Sequence, residues 1–227
     1  MIRFPRRAFL LCACVTLAGA QGPLEKTLDL MNRVSSTFKG LTADVVKTHF
    51  TFAIKDTEVE QGAIAVRKPK PREFQVLWTV MEPAAGQTEF SGHTLRAYNP
   101  KTNIIQEYSV DRKYGDVVNE YLLLGFGTSP AELRQAYNFG ASRPEAVNGR
   151  AATKIELTPK KPDTDLGLVR ADLWISDETG IAIQQRLNFV SGDWLTVTYS
   201  NTKIRSDIPD SAVKLNAPAN ARKEKAN

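Results

Sequence analysis

The chain has 227 residues, with 30 Lys and Arg, 25 Asp and Glu, two His and two Cys, and a formal charge of +5. Charges of both signs are interspersed, so the sequence excludes the basic stripe that nucleic-acid binding requires. A chain of this length fits one sizeable domain or two small ones.

The first twenty residues have the three parts of an export signal. Three arginines within the first seven residues precede an uncharged, mainly apolar stretch at residues 8–17, and Ala18-Gly19-Ala20 has the small residues that a signal peptidase reads. The apolar stretch is shorter than the ~20 residues that span a bilayer. We predict a cleavable signal over residues 1–20, with cleavage before Gln21, and a soluble protein that works outside the cytoplasm. The alternative is a buried N-terminal helix.

Both cysteines, Cys12 and Cys14, lie within this signal. The chain from Gln21 onward contains no cysteine, which excludes disulfides, thiolate metal sites and a cysteine nucleophile from the exported protein. Cleavage also leaves 27 basic and 25 acidic residues and a formal charge of +2. Lipidation at Cys14 is the alternative to cleavage.

Residues 23–39 are predicted to form an amphipathic helix. Apolar residues recur there at spacings of three or four: Leu24, Leu28, Met31 and Val34. Gly40 is expected to end this helix in the left-handed conformation.

From Leu41 onward the apolar period changes to two, which indicates strands. The first strand would place these residues on one face: Val46, Thr48, Phe50, Phe52 and Ile54. A polar turn is expected at 56–61, followed by strands at 62–68 and 73–80. Shorter strands at 87–90, 94–98 and 103–110 are joined by short turns, so they are expected to be antiparallel neighbours.

The strand pattern breaks between Val117 and Phe139. Residues 117–126 form an apolar helical stretch, and Ser129 is a good N-cap because Pro130 and then Glu132 follow it. Two short helices are therefore expected to interrupt the sheet.

Strands resume in the last third of the chain, after the hairpin signal Asn148-Gly149. They are predicted at 152–158, 169–176, 181–190 and 194–204, with a short one at 213–216 that closes the fold. Residues 217–227 have no large apolar side chain and are predicted to be a mobile tail. The expected fold class is α+β and mainly β, with one domain over residues 21–216.

Catalytic motifs are lacking. His49 lies in an alternating strand and His93 in a Ser-Gly-His turn, so both are interpreted as ordinary surface residues, and Asp163 and Asp165 as solvated loop carboxylates. No Gly-x-Ser-x-Gly elbow or phosphate loop is present. The sequence thus predicts no catalytic residue, metal or cofactor, and an enzyme is the least favoured class.

The strands carry more apolar side chains than one face of a simple sheet requires. These residues make either a solid core or an apolar cavity, in which each buried CH₂ of an acyl chain would gain ~0.8 kcal/mol. The candidate cavity residues are Val46, Phe50, Phe52, Phe74, Val76, Trp78, Tyr98, Leu122, Leu123 and Phe126.

Several motifs resemble, in order and spacing, those of the LolA family of periplasmic outer-membrane lipoprotein carriers. They are Gly62-Ala63-Ile64-Ala65-Val66-Arg67-Lys68-Pro69 with Trp78 and Glu82-Pro83; Ser91-Gly92-His93-Thr94-Leu95-Arg96-Ala97-Tyr98-Asn99-Pro100; Ile155-Glu156-Leu157-Thr158-Pro159-Lys160; Leu173-Trp174-Ile175-Ser176-Asp177; and Ser200-Asn201-Thr202-Lys203-Ile204. The resemblance covers nearly all of the chain from residue 21.

This resemblance implies an unclosed antiparallel β-barrel, or half-barrel, whose open side is covered by the N-terminal helix and two short helices. It implies a monomeric periplasmic carrier that receives acylated lipoproteins from an inner-membrane release complex and delivers them to an outer-membrane acceptor. The alternative is a sensor or regulatory protein of the same fold that detects lipoproteins or lipids.

The resemblance also implies a role for a basic pair at a strand end. In the family, the basic residue before the strand-ending proline helps to govern ligand release; here that residue is Lys68, and Arg67 precedes it, which reverses the usual order. Because side chains alternate along a strand, only one of the two can point inward.

Overall fold

The computed structural model describes residues 22–70, 73–109, 124–161 and 167–226. The predicted signal with Cys12 and Cys14 lies outside these residues. So do Leu122 and Leu123 of the candidate cavity and the loop carboxylates Asp163 and Asp165.

The described chain contains two α-helices, twelve strands and one 3₁₀ helix. In chain order they are α1 (Pro23–Thr37), β1 (Gly40–Thr51), β2 (Asp56–Lys70), β3 (Glu73–Glu82), β4 (Gly86–Ser91), β5 (Thr94–Asn99), β6 (Ile104–Ser109), α2 (Pro130–Ala136), β7 (Tyr137–Val147), β8 (Arg150–Pro159), β9 (Leu168–Ser176), β10 (Ala182–Phe189), β11 (Trp194–Ile204), the 3₁₀ helix (Asp210–Val213) and β12 (Arg222–Ala226).

All twelve strands belong to one sheet, in the order β12-β6-β5-β4-β3-β2-β1-β11-β10-β9-β8-β7. Neighbours are antiparallel except β12, which runs parallel to β6. Strand β1 joins the two halves of the sheet, because it pairs with β2 on one side and β11 on the other. The sheet is not closed, so the predicted mainly β, half-barrel architecture is confirmed.

The hydrophobic core lies on one face of this sheet, which we call the concave face. Along β1, Leu41, Ala43 and Val45 are buried there, and they meet Leu28 and Met31 of α1 in a single core cluster. The alternate apolar residues of β1 and the apolar residues spaced by three or four in α1 thus form the two sides of one core.

Helix α1 is also fixed to the sheet through buried hydroxyl groups. Thr27 donates from Oγ1 to Thr153 Oγ1 over 2.9 Å, and Thr153 donates in turn to Asp177 Oδ1 over 2.8 Å. Both threonines are buried, so their hydrogen bonds offset the cost of removing the hydroxyls from water.

Gly40 does not end α1 as expected. The helix ends at Thr37, and Gly40 is the first residue of β1. A Cβ added at Gly40 would lie 2.3 Å from the carbonyl oxygen of Val66, so the glycine permits the close approach of β1 to β2.

The first hairpin turns earlier than expected. The prediction of a polar turn at 56–61 is wrong, since Asp56 already pairs with Thr51 and residues 52–55 make the turn. Lys55 closes it with φ of 52°. The polar start of β2 pairs with β1 along its whole length, and one of its charges has a partner across the ladder, since Lys47 Nζ lies 2.5 Å from Glu60 Oε2.

The central helix prediction has a mixed outcome. The helix after Ser129 is confirmed as α2, with a capping box in which Ser129 N donates to Glu132 Oε2 over 2.8 Å and Glu132 N donates to Ser129 Oγ over 3.2 Å. Of the stretch 117–126, only 124–126 is described, and it is a turn in which Gly125 has φ of 85°.

The chain end also differs from the expectation. The prediction of a strand at 213–216 is wrong, because Val213 ends the 3₁₀ helix and the backbone N–H groups of Leu215 and Asn216 donate to the side chains of Glu89 and Gln87 rather than to a strand. Residues 217–227 were expected to be a mobile tail, but strand β12 lies within this range. It pairs with the edge of β6 through its backbone. Because it is charged and has no large apolar residue, its sequence lacks the apolar alternation that predicts a strand.

Candidate functional site

The concave face has two regions that differ in burial. In the closed region, Leu41 and Val45 of β1, Tyr199 of β11 and Phe126 are buried. In the open region, four apolar side chains are only half-buried, although all pack against the same core cluster. We call them the open concave set: Trp78, Leu95, Leu195 and Val197.

Strand register places the open concave set on the concave face. Trp78 is opposite the core residue Ile64, and Leu95 is opposite the core residue Phe90. On β11, Leu195 and Val197 continue the alternation that begins at buried Tyr199. Paired residues of antiparallel strands lie on the same face, so the set belongs to the face that carries the core.

Four of the predicted cavity residues lie on this face. Phe74, Val76 and Phe126 are buried in the core cluster, and Trp78 is half-buried beside it. Phe74, Val76 and Phe126 therefore belong to the closed region. Trp78 is the one predicted cavity residue among the described ones that lies in the open region.

Val46 and Phe50 lie on the opposite, convex face, which corrects their assignment to the cavity. The predicted residues of β1 do share a face, but the core takes the alternate residues, including Val45. Because successive side chains of a strand point to opposite faces, assigning the core to the wrong alternate set of residues places every side chain on the wrong face. Phe50 instead stacks on Trp194, with ring centroids 5.6 Å apart.

Phe52 and Tyr98 are also outside the concave face. Phe52 lies in the turn between β1 and β2 and is exposed. Tyr98 is opposite Gln87 on the convex face, and its hydroxyl donates to Asn103 Oδ1 over 3.2 Å. Asn103 Nδ2 donates to the carbonyl oxygen of Asn220 over 3.3 Å, so the C-terminal segment covers this tyrosine.

Sequence reasoning missed Leu95, Leu195 and Val197. Leu195 and Val197 belong to a run of alternate apolar residues in β11 that ends at Tyr199, and this period of two was a usable signal. Leu95 had no such signal, since its strand β5 has only six residues.

Lys68 is the residue of the basic pair that faces inward. Its Nζ donates to the carbonyl oxygen of Gly127 over 3.1 Å and lies 5.3 Å from the centroid of the Phe74 ring. Burial lowers the pKa of the Lys68 amine, although nearby Glu132 opposes the shift. Lys68 thus joins the end of β2 to the segment that precedes α2.

Arg67 points to the other face, as strand alternation requires. Its Nη1 lies 2.8 Å from Asp210 Oδ1 and donates to Gln75 Oε1 over 3.0 Å. Lys214 and Arg67 together lower the pKa of the Asp210 carboxyl, the hydrogen bond from Lys214 being the largest cause. Arg67 therefore binds the C-terminal segment, and the question of which residue faces inward is resolved in favour of Lys68.

Gly127 allows the segment 124–129 to lie close to the sheet. It has φ of 64°, and an added Cβ would be 2.4 Å from the Phe38 ring. A side chain here would push the segment away from Phe38 and displace the carbonyl group that Lys68 binds.

A buried hydrogen-bond chain holds the same segment at a second point. Gln185 Nε2 donates to the carbonyl oxygen of Leu124, and the Tyr199 hydroxyl donates to Gln185 Oε1 over 3.2 Å. Burial raises the pKa of Tyr199, which keeps the phenol neutral. The rings of Tyr199 and Phe126 meet edge to face with centroids 4.7 Å apart, so the segment is held by a hydrogen bond at Leu124 and by ring packing at Phe126.

The open region also has a polar side. Lys47 Nζ, paired with Glu60, lies 5.9 Å from the centroid of the Trp78 ring, and His49 is opposite Glu58 in the ladder. A ligand on this face would therefore meet apolar side chains of β3 and β11 and charged ones of β1 and β2.

The two histidines lie apart from each other in the sheet, His49 half-buried in β1 and His93 exposed in the turn between β4 and β5. Within the described ranges, no group of three or more His, Cys, Asp or Glu is placed to hold a metal ion. No helix among these residues is long and apolar enough to cross a membrane.

Comparison with family models and with curated proteins gives no match. Solved structures do match. An uncharacterized conserved protein from Thermus thermophilus is 12% identical, with 90% of this chain and 100% of that chain covered and a TM-score of 0.54. MucB is 12% identical, with 87% of this chain covered and a TM-score of 0.52, and the chain spans 64% of the MucB chain.

A LolA superfamily protein from Nitrosomonas europaea is also among the structural neighbours. It is 13% identical, with 84% of this chain and 97% of that chain covered and a TM-score of 0.40. At these identities the comparisons show the fold alone, and the two neighbours with TM-scores above 0.5 share it.

Proposed function

We propose that this protein is a periplasmic carrier that binds acyl chains of lipoproteins, or of related lipids, on its concave face and delivers them to the outer membrane. The observation that carries this proposal is the open concave set. Trp78, Leu95, Leu195 and Val197 are large apolar side chains beside a packed core, yet they are only half-buried. Apolar surface of this kind favours an apolar ligand.

The free energy expected from burying an acyl chain on the concave face is large enough for binding. Each CH₂ that leaves water for an apolar surface gains ~0.8 kcal/mol, so ten of them would gain about 8 kcal/mol before the cost of ordering the chain. Binding would need no covalent step and no cofactor.

Lys68 supplies a means of entry and release. Its bond to the Gly127 carbonyl joins β2 to the segment 124–129, which covers the closed region. A lysine is a point donor, whereas an arginine could hold several carbonyls with its planar fork. Breaking this bond would let the segment move and would extend the open region toward Phe74.

Two features of the sequence support export and delivery as parts of this proposal. The predicted signal at residues 1–20 would send the chain across the inner membrane. The LolA resemblance adds an inner-membrane release complex as the donor and an outer-membrane acceptor as the recipient.

Native mass spectrometry of the protein, purified from its own envelope without detergent, tests this proposal. We expect a fraction of the protein to carry the extra mass of a lipid or an acylated peptide, and a fluorescent fatty acid to displace it. The absence of both bound lipid and probe binding would contradict the carrier function. Turnover of an ester or amide substrate would instead indicate a hydrolase.

A regulatory binding protein is the second candidate. The match to MucB favours it, and MucB is known in complex with MucA. A pull-down that recovers one protein partner in a fixed ratio, together with native spectra free of lipid, would support this candidate over the carrier.

A further inference from the structure

Exposed apolar side chains gather at one end of the sheet. Antiparallel pairing places the β1–β2 turn, the β10–β11 turn and the start of β9 at the same end. Phe52 and Ile54 of the first turn are 56% and 71% exposed, Val190 of the second is 77% exposed, and Val169 of β9 is 46% exposed. We call these four residues the apolar rim.

The segments that carry the rim are in contact with one another. An added Cβ at Gly192 would lie 2.9 Å from the Phe52 ring, and one at Gly167 would lie 2.9 Å from Val190 Cγ1. The backbone N–H of Phe52 also donates to Asp193 Oδ1 over 2.7 Å. The two turns therefore pack on each other, and Val190 packs on the residue that precedes β9.

The opposite end of the sheet lacks such a grouping in the described part of the chain. Ile204, at the end of β11, is 46% exposed, but its partner across the ladder, Leu41, is buried. Scattered apolar residues of this kind are normal on protein surfaces, whereas a connected group at turn tips indicates an interaction.

We propose that the apolar rim docks this protein on the surface of a phospholipid bilayer. The rim side chains project from two turns and a strand end, and a flat, fluid surface can receive all of them at once. Directly behind the rim, Phe50 and Trp194 stack on the convex face, and aromatic rings of this kind favour the interface between lipid and water.

Charges beside the rim favour a neutral headgroup over an anionic one. Lys55 and Asp56 follow Ile54, and Asp193 follows the second turn, so both signs are present. Electrostatic attraction to anionic lipid requires an excess of basic residues, and among the described residues that adjoin the rim, Lys55 and Arg170 are matched by Asp56 and Asp193. Docking is therefore expected to depend on apolar insertion and to change little with salt.

This inference goes beyond the proposed carrier function, since it names a surface on which the protein works. The substituted rim residues, Ile54 and Val190, lie in turns, whereas the open concave set lies on strands β3, β5 and β11. Membrane docking and lipid carriage can therefore fail independently.

Co-sedimentation with vesicles of phosphatidylcholine tests the docking. The chain from residue 21 is used, because the apolar segment at 8–17 would itself bind lipid. We expect the protein to sediment with vesicles at low and at high salt. The double substitution Ile54→Ser with Val190→Ser should weaken binding about tenfold or more, and Ile204→Ser, at the opposite end, should leave it unchanged.

Thermal unfolding of each variant checks the fold, and Ile54→Ser alone serves if the double variant is unstable. Three results would overturn the proposal: no sedimentation of the unsubstituted protein, equal loss in the Ile204→Ser control, or binding only to anionic vesicles at low salt. A concentration-dependent dimer that the rim substitutions abolish would also overturn it, because a second copy would then cover the rim.

Discussion

Strands β1 and β11 are neighbours that run through both regions of the concave face, and the side chains that they place in the open region differ in polarity. In the closed region both contribute buried apolar residues, such as Val45 and Tyr199, which face each other across the ladder. Farther along, β1 changes to Lys47 and His49, whereas β11 stays apolar with Val197 and Leu195. The apolar residues of β11 thus continue past the point where β1 becomes polar, and this is the surface to which the proposed ligand is assigned.

The closed region is expected to carry most of the stability. Phe126→Ala removes a fully buried ring that packs on Tyr199, and it should lower the free energy of unfolding by about 3–5 kcal/mol. Urea denaturation measures this change. Ile54→Ala, at an exposed turn, is the control and should change the free energy by no more than about 0.5 kcal/mol. Equal effects would mean that the buried ring of Phe126 contributes no more to stability than an exposed side chain does.

The open region is expected to carry ligand binding. Leu195→Asp places a charge among the apolar side chains of the concave face, so it should weaken binding of a fluorescent fatty acid about tenfold or more, the equivalent of at least about 1.4 kcal/mol. Fluorescence titration measures the affinity, and circular dichroism checks the fold.

Val46→Asp is the matched control for that substitution. Val46 lies on the convex face of β1, as Phe50 does, so a charge there should leave probe affinity unchanged. Equal loss in both variants, or no loss in either, would contradict the assignment of the concave face.

Substitution of Lys68, whose amine bonds the end of β2 to the segment 124–129, should have the smallest effect on stability, and this effect should depend on pH. Burial lowers the pKa of Lys68 below its ordinary value of 10.5, so in the pH range between these two values the unfolded chain binds more protons than the folded chain. Stability relative to Lys68→Met should therefore rise as pH increases through this range. Urea denaturation of both proteins from about pH 8 upward measures the difference, and a falling difference would mean that the amine prefers its charged form in the fold.

The sequence by itself determined many of the elements. Periodicity predicted α1 and the meander of β9 to β11, and the order of Ser129, Pro130 and Glu132 predicted the capping box of α2, because these signals are local and depend on neighbouring residues along the chain. The predicted open, mainly β fold with helical cover is confirmed. The export signal and the domain limits stay predictions.

The tertiary structure alone decided which face became the site. Alternation indicated that Val46 and Phe50 share a face, but not that β1 would turn Val45 toward α1, since that choice depends on the register with β2 and β11. Alternation likewise allowed only one of Arg67 and Lys68 to point inward, and the partners that decided between them, Asp210 and Gly127, lie 143 and 59 residues away in the chain. Contacts of such separation form only in the folded protein, which is why the identity of the inward amine and the division of the concave face could not be predicted from local pattern.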